Sequence, residues 1–428
     1  MTTASLRLPS FARIPPPGRG IVVAAVLAAV VIAAAVLRVE AAGHRPGHTS
    51  ADERAYVRLA SDLRATGTYG GPGMAHPLHW APGAPVLFAV ADALSGHPAG
   101  DRIDTRAARR AQAVVGALTV GAAFALAALI ADAWAGVVAA VAVAFYPPMI
   151  AATTQLTSEP LGALAVTAAL AAVAWAWSRG RPAGFAAAGA AVGLACLVRA
   201  DVLLAALVLA PAVGLLHARR ATRRAGVVAG LATLLGVLAI VAPWSAFASR
   251  RDRAFVPITD GGPATLFIGT YLPGHGTIFG LKHALAREAM RVHPSIRHKA
   301  LYRLPEKVFL DAVAARHPHL SRDAAISAEL HRNLRVYLLG HPVAFARMLA
   351  AKTWRMWAFP FRGTFRRVGA ATIWLHRVLV VLALAGLLAG LIRRRSAILG
   401  LAALTLCVTA AVDIAFVAEA RHAFRLMP

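Results

Sequence analysis

The sequence predicts an all-α, polytopic membrane protein: about nine or more spanning helices, with two large polar loops on one side. Hydrophobic residues make up 58% of the 428 and charged residues 15%, a balance found in membrane proteins and not in soluble domains. Apolar runs of spanning length recur along the chain. The 45 Lys and Arg, against 19 Asp and Glu, gather in short clusters between those runs and in one long polar stretch. That distribution fits positive-inside sorting and attraction to anionic membrane lipids, and it argues against nucleic acid as a partner. Both cysteines, Cys196 and Cys407, sit in apolar runs, so neither a disulfide framework nor a cysteine metal cluster is implied.

Taken in order, the prefix 1–19 carries only basic charges and is expected to be a cytoplasmic segment. The apolar run at about 20–37 follows. It is near the minimum length for a span and has no small-x-small cleavage site, so it reads as a retained first helix and not a signal peptide. A first loop, about 38–110, comes next. Within it Ala55, Tyr56, Leu59, Ala60 and Leu63 recur at helical spacing over 52–65, an amphipathic stripe suited to the membrane face. After the turn "TGTYGGPG", the piece "HPLHWAPGAPVLFAVADAL" is too short to span securely and fits a re-entrant or interfacial helix.

Further spans are expected at about 111–131, 134–151, 159–178, 184–199, 201–216 and 225–243, completing a membrane module 20–244. A second long loop, 245–370, precedes C-terminal spans at 371–392 and 396–416 in a segment 371–428. Abundant Ala and Gly favour close helix packing. If nine spans alternate, the prefix, "SRGRP" at 178–182, "HARRATRR" at 217–224 and "RRR" at 393–395 share one side, which the charge rule makes cytoplasmic. Both loops then face the extracytoplasmic side of the plasma (inner) membrane. The second holds 20 Lys and Arg against 7 acids, yet long translocated loops are exempt from that rule.

One short stretch carries chemistry: "SADE" at 50–53, just beyond the first span. Ser50 and Glu53 form a capping-box pattern, and acids in a first turn are favoured by the helix dipole. The box does not require Asp52. A carboxylate at that height at the membrane surface can take a proton from an acceptor hydroxyl.

Here the chain resembles a known family. A first span, then "ADERAYVRLASDLRATGTYG" and "HPLHWAPGAPVLFAV", is similar to the first extracytoplasmic loop of GT-C membrane glycosyltransferases, in particular the protein O-mannosyltransferases and lipid A aminoarabinose transferases. "QLTSEPLGAL" at 155–164, "GLACLVRADVLLAAL" at 193–207, "VAPWSAF" at 241–247, "PITDGGPATLFIGTYLPG" at 257–274 and "AEARHAFRLMP" at 418–428 extend the resemblance in order. It implies a GT-C type bundle that moves a hexosyl or pentosyl group from a polyprenyl-phosphate donor to an extracytoplasmic acceptor, which is a protein, a glycolipid or a wall polysaccharide. Asp52 takes the place of the family's catalytic aspartate, Glu53 is its neighbour, and Glu159 matches the acid that opens a span in relatives. The terminal motif departs from the family's Arg-Tyr, reading Arg421-His422 here. Relatives continue into another span after the proline, so a chain ending at Pro428 reads as truncated.

Releasing a lipid phosphate needs cations, and Arg199, Arg250, Arg251 and Arg421 are the candidates at outer span ends. Arg421 draws its weight from the family motif alone, and the others have plainer readings. Arg199 with Asp201 in "VRAD" can be an ion pair that fixes a tight hairpin, and Arg250 and Arg251 can be a solvated loop start. Glu159 before Pro160 is a complete helix-start signal. His79 is a candidate for the donor pocket beside Trp80, which either stacks on the sugar or prenyl chain or anchors at the interface. His76 and His79, spaced H-x-x-H, leave a divalent metal open without a third ligand. No Walker or G-x-G-x-x-G loop occurs, so the donor is expected to be lipid-linked and no cofactor is certain. The rival of another class is a secondary transporter with Arg199, Asp201 and Asp413 on its path. It predicts inverted repeats, short outer loops and a cavity at mid-membrane.

Overall fold

The computed structural model describes residues 17–44, 49–71, 74, 76–100, 102–361, 368–393 and 396–428. The expected cytoplasmic prefix lies outside them for residues 1–16, as do two arginines of the cluster at 393–395. The fold is all-α, with no strand among the described residues.

The helices are α1 (Pro17–Gly43), α2 (Ala51–Thr66), α3 (Gly83–Leu94), α4 (Thr105–Ile130), α5 (Ala133–Phe145), α6 (Pro147–Ala151), α7 (Glu159–Arg179), α8 (Pro182–Val198), α9 (Val202–Arg220) and α10 (Arg223–Asp252). The long polar loop holds α11 (Gly262–Thr270), α12 (Ile278–Ala284), α13 (Ala286–Val292), α14 (Glu306–Ala314), α15 (Arg322–Asn333) and α16 (Pro342–Ala358). Then come α17 (Ala370–Ile392), α18 (Ala397–Ala415) and α19 (Ala420–Phe424). Eight of the nine expected spans each fall on one helix, and the run 134–151 falls on a bent pair. Seven helices (α1, α4, α7, α9, α10, α17, α18) are long and apolar enough to cross a membrane, or up to eight if a bent pair counts as one span. Two expected spans depart from straight, full-length helices. The run 134–151 is broken into α5 and the segment 147–154, bent by 56°, because Pro147 and Pro148 supply no amides to the Val143 and Ala144 carbonyls one turn earlier. The run 184–199 becomes α8, only 17 residues long.

Packing follows the small residues. α8 lies against α10 and α7, α4 against α1, α5 and α7, and α9 against α10 and α18. Gly189 of α8 faces the Thr233 carbonyl of α10, and Gly236 of α10 faces the Ala186 carbonyl of α8. A Cβ at either glycine would overlap backbone, so these helices touch backbone to backbone. The polar loop builds a core of its own from Phe267, Ile268, Leu281, Phe309, Val313 and Ile326. A π-helical turn at Leu334–Leu339 joins α15 to α16.

Candidate active site

Four helix ends that are distant in sequence meet around one cavity of about 450 Å³: the start of α2, the start of α7, the α8–α9 turn and the end of α18. Residues 257–265 roof it, and His79 with Trp80 close one side. Asp52, Glu159, Arg199 and Arg421 all line it, although up to 369 positions separate them.

The local chain chemistry explains how α2 presents Asp52. Ser50 caps the helix, its hydroxyl accepting from the Glu53 amide at 3.0 Å, and Gly67 ends it in the left-handed conformation. The Glu53 carboxylate turns away from the cavity and is buried, held by the Leu156 amide at 3.3 Å and by the Ser50 backbone. Burial pushes its pKa up. Glu53 therefore ties α2 to the approach of α7, while Asp52, one residue earlier, faces the cavity and keeps 34% of its side-chain surface. Tyr56, one turn further along the same face, is buried and donates to Ser158 at 3.0 Å.

Asp52 accepts from the Arg421 guanidinium and from the Trp80 indole at 3.4 Å. Burial alone would raise its pKa, but the charge and hydrogen bond of Arg421 outweigh it, and the carboxyl is held below its ordinary value. Arg421 also ion-pairs with Glu419 at 3.0 Å. Beside it, half-buried His422 faces the charges of Arg421, Arg199 and Arg425, and its pKa is driven well below the usual value, first by burial and then by those charges. It is a neutral lining group.

The second cluster stands on the α8–α9 turn. Arg199 lies 2.8 Å from Asp201, 3.7 Å from Glu159 and 3.2 Å from the Ser158 hydroxyl. Burial opposes its charge, yet the two carboxylates hold its pKa above the ordinary value. Arg425, itself buried, bridges Asp201 at 2.8 Å and Asp413 at 2.7 Å. The hairpin ion pair is thus present, and Arg199 borders the cavity as well. One Glu159 carboxylate oxygen, Oε2, has no hydrogen-bond partner.

The remaining candidates fall out as follows. His79 lines the cavity, edge-on to Trp80 and 4.0 Å from Asp260, its pKa lowered first by burial. Arg250 is exposed on α10 and does not line the cavity, and Arg251 donates to the Gly70 carbonyl at 2.6 Å. Arg251 thus reaches the first loop, and Arg250 is not among the residues brought to the cavity. Among the described residues no group of three or more His, Cys, Asp and Glu side chains is arranged to hold a metal. Sequence reasoning took Tyr56 for part of an apolar stripe, although its i+4 spacing from Asp52 marks the shared face. It missed Arg425, four residues after Arg421.

Residues 85–247 match the family model described as dolichyl-phosphate-mannose-protein mannosyltransferase. The fold is similar to that of the Archaeoglobus fulgidus oligosaccharyltransferase. The apo form aligns at a TM-score of 0.54 and 17% identity, over 94% of this chain and 49% of that one. AglB from the same organism, in complex with an inhibitory peptide and a dolichol-phosphate, aligns at 0.51 and 15%, over 94% and 50%. ArnT from Cupriavidus metallidurans, bound to undecaprenyl phosphate, aligns at a TM-score of 0.41 and 19% identity, over 96% of this chain and 78% of that one. The search of curated proteins finds no match. The chain has the GT-C fold of membrane glycosyltransferases. Residues 85–247 are similar to the protein mannosyltransferases, and the chain spans about half the length of the archaeal oligosaccharyltransferase chains.

Proposed function

We propose that this protein is a glycosyltransferase that moves a sugar from a polyprenyl-phosphate donor to a hydroxyl acceptor on the extracytoplasmic face, with Asp52 as the general base. The observation that carries the reading is the convergence of Asp52, Glu159, Arg199 and Arg421 on one cavity at the ends of the spanning helices. Leu203, Leu204 and Val412 line its membrane side, giving a prenyl chain an apolar exit while its phosphate stays among the arginines. AglB, which shares the fold, is described in complex with a dolichol-phosphate and a peptide, so a lipid phosphate and an acceptor suit such a cavity.

In the proposed step, the acceptor oxygen attacks the anomeric carbon while its proton passes to Asp52. The carbon–oxygen bond to phosphate breaks, and polyprenyl phosphate leaves with the bonding electrons. Arg421 links the two events. Without donor it neutralises Asp52. A phosphate entering the cavity competes for the guanidinium, and an Asp52 relieved of Arg421 is a stronger base, since burial then governs its pKa. Arg199 is already shared by Asp201 and Glu159, which suits it to holding the cavity floor and meeting phosphate from below. The sugar, whether hexosyl or pentosyl, and the identity of the acceptor stay open. The test is transfer from a labelled polyprenyl-phosphate sugar by purified protein in nanodiscs, with Asp52→Asn as the comparison. Equal turnover by the two proteins would remove Asp52 from the reaction and leave Glu159 as the next carboxylate to try.

A further inference from the structure

A second cavity, of about 850 Å³, lies at the other end of the bundle in the groove between α9 and α10. Its walls are Leu207, Leu215, Val227, Leu231 and Leu234, and its mouth holds Arg219 and Arg223. We propose that this groove binds an anionic diacyl phospholipid, one acyl chain in the groove and the headgroup phosphate between the two arginines. The site goes beyond the transferase reading and does not depend on it.

Three observations support the assignment. First, the groove faces outward along the spanning helices: Leu207 is 46% exposed, Leu215 58%, Val227 61% and Leu231 52%. Such side chains at membrane depth meet lipid. Second, its length fits. From Leu207 to Arg219 the α9 helix rises roughly 18 Å, close to the roughly 15 Å depth of one leaflet's hydrocarbon, so a chain filling the groove brings its headgroup to the arginines. Gly214, Gly226 and Gly230 form the floor, where α9 and α10 meet backbone to backbone.

Third, the two charges are unengaged within the chain. Arg219 and Arg223 have no hydrogen-bond, ion-pair or ring partner among the described residues, unlike Arg220, which donates to the Trp177 carbonyl at 3.0 Å. Asp132 is the one acid in the described turns at this end of the bundle, and it caps α5. Two unpaired guanidinium groups at the mouth of an apolar slot complement a phosphate with net negative charge better than a zwitterionic headgroup, whose own cation would sit beside them.

The experiment is native mass spectrometry of the detergent-purified protein with added phosphatidylglycerol or phosphatidylcholine of matched chains. Wild type is expected to retain phosphatidylglycerol about tenfold more tightly than phosphatidylcholine, since each arginine near the lipid surface adds to anionic selectivity. R219Q/R223Q should lose most of that preference, and L215W, which fills the groove from its exposed wall, should weaken both lipids. R393Q, an arginine in another turn at the same end, should leave binding unchanged. Equal retention of the two lipids by wild type, or a preference that R393Q erodes as much as R219Q/R223Q does, would overturn the site in favour of nonspecific surface charge.

Discussion

At the scale of single residues, capping and catalysis divide a four-residue stretch between them, and the division is testable. Asp52→Asn should keep α2 folded yet lose transfer by about 10²–10⁴, the usual contribution of a positioned base. Ser50→Ala should cost about 1 kcal/mol of local stability through the lost cap, with transfer preserved. The pH dependence follows from Arg421. Its pairing holds the Asp52 pKa down in the free protein, so the stability that pairing provides is present above the ordinary carboxylate pKa and is lost as pH falls through the depressed value. If donor phosphate draws Arg421 away, Asp52 titrates higher in the complex. The acid limb of kcat should then lie at higher pH than that of kcat/KM, and Arg421→Gln should bring the two limbs together while raising KM. Coincident limbs in wild type would mean that Arg421 never leaves Asp52. Of the residues that line the cavity, Asp52, Glu159 and Arg199 were singled out in sequence at boundaries between polar segments and apolar runs, and Arg421 by its family motif. The Arg425–Asp201–Asp413 bridge was not. It joins two helices far apart in the chain, and no periodicity records which helix ends will meet.

At the scale of elements, the break between α5 and α6 shows a span signal that composition reads correctly and geometry revises. Pro147 and Pro148 free the Val143 and Ala144 carbonyls inside a buried layer. Arg38, from the end of α1, donates to both, at 2.8 and 2.9 Å, and its side chain is almost fully buried. One guanidinium thus replaces the two missing amides, which a forked donor can do and a single ammonium cannot. The pair of prolines was visible in "FYPPMI"; that an arginine over a hundred positions earlier completes their hydrogen bonding was not. Arg38→Leu should destabilise the protein by about 1–3 kcal/mol for each carbonyl left unpaired, and Arg38→Lys should recover part of that loss. Thermal unfolding in detergent measures both. A melting temperature for Arg38→Leu equal to wild type would show that water or backbone adjustment satisfies the break instead.

At the scale of the whole molecule, alternation of the helices carries Asp52, Glu159, Arg199 and Arg421 to one end and the short basic turns to the other. That arrangement separates the two classes of function the sequence left in contention. The charged groups assigned to a transporter path, Arg199, Asp201 and Asp413, are locked with Arg425 beneath a cavity at helix ends, whereas a transport site is expected at the bilayer midplane between repeats. The apolar runs were legible because hydropathy acts over whole segments, although nine spans were expected and seven helices, or up to eight with the bent pair, are long and apolar enough to cross a membrane. The interior of 245–370 was not legible: its helices are short, interrupted by Pro, Gly and His, and stabilised by a local core that no long period announces. The topology itself makes a prediction that the cavity alone does not. In a protein whose Cys196 and Cys407 have been replaced, Ser95→Cys in the first loop and His298→Cys in the second are both exposed, and both should react with a membrane-impermeant maleimide added to intact cells. Ala221→Cys, exposed in the α9–α10 turn, should react only after permeabilisation. Should Ala221→Cys label first, the active-site end would face the cytoplasm, and a donor there would have to be drawn from the opposite leaflet.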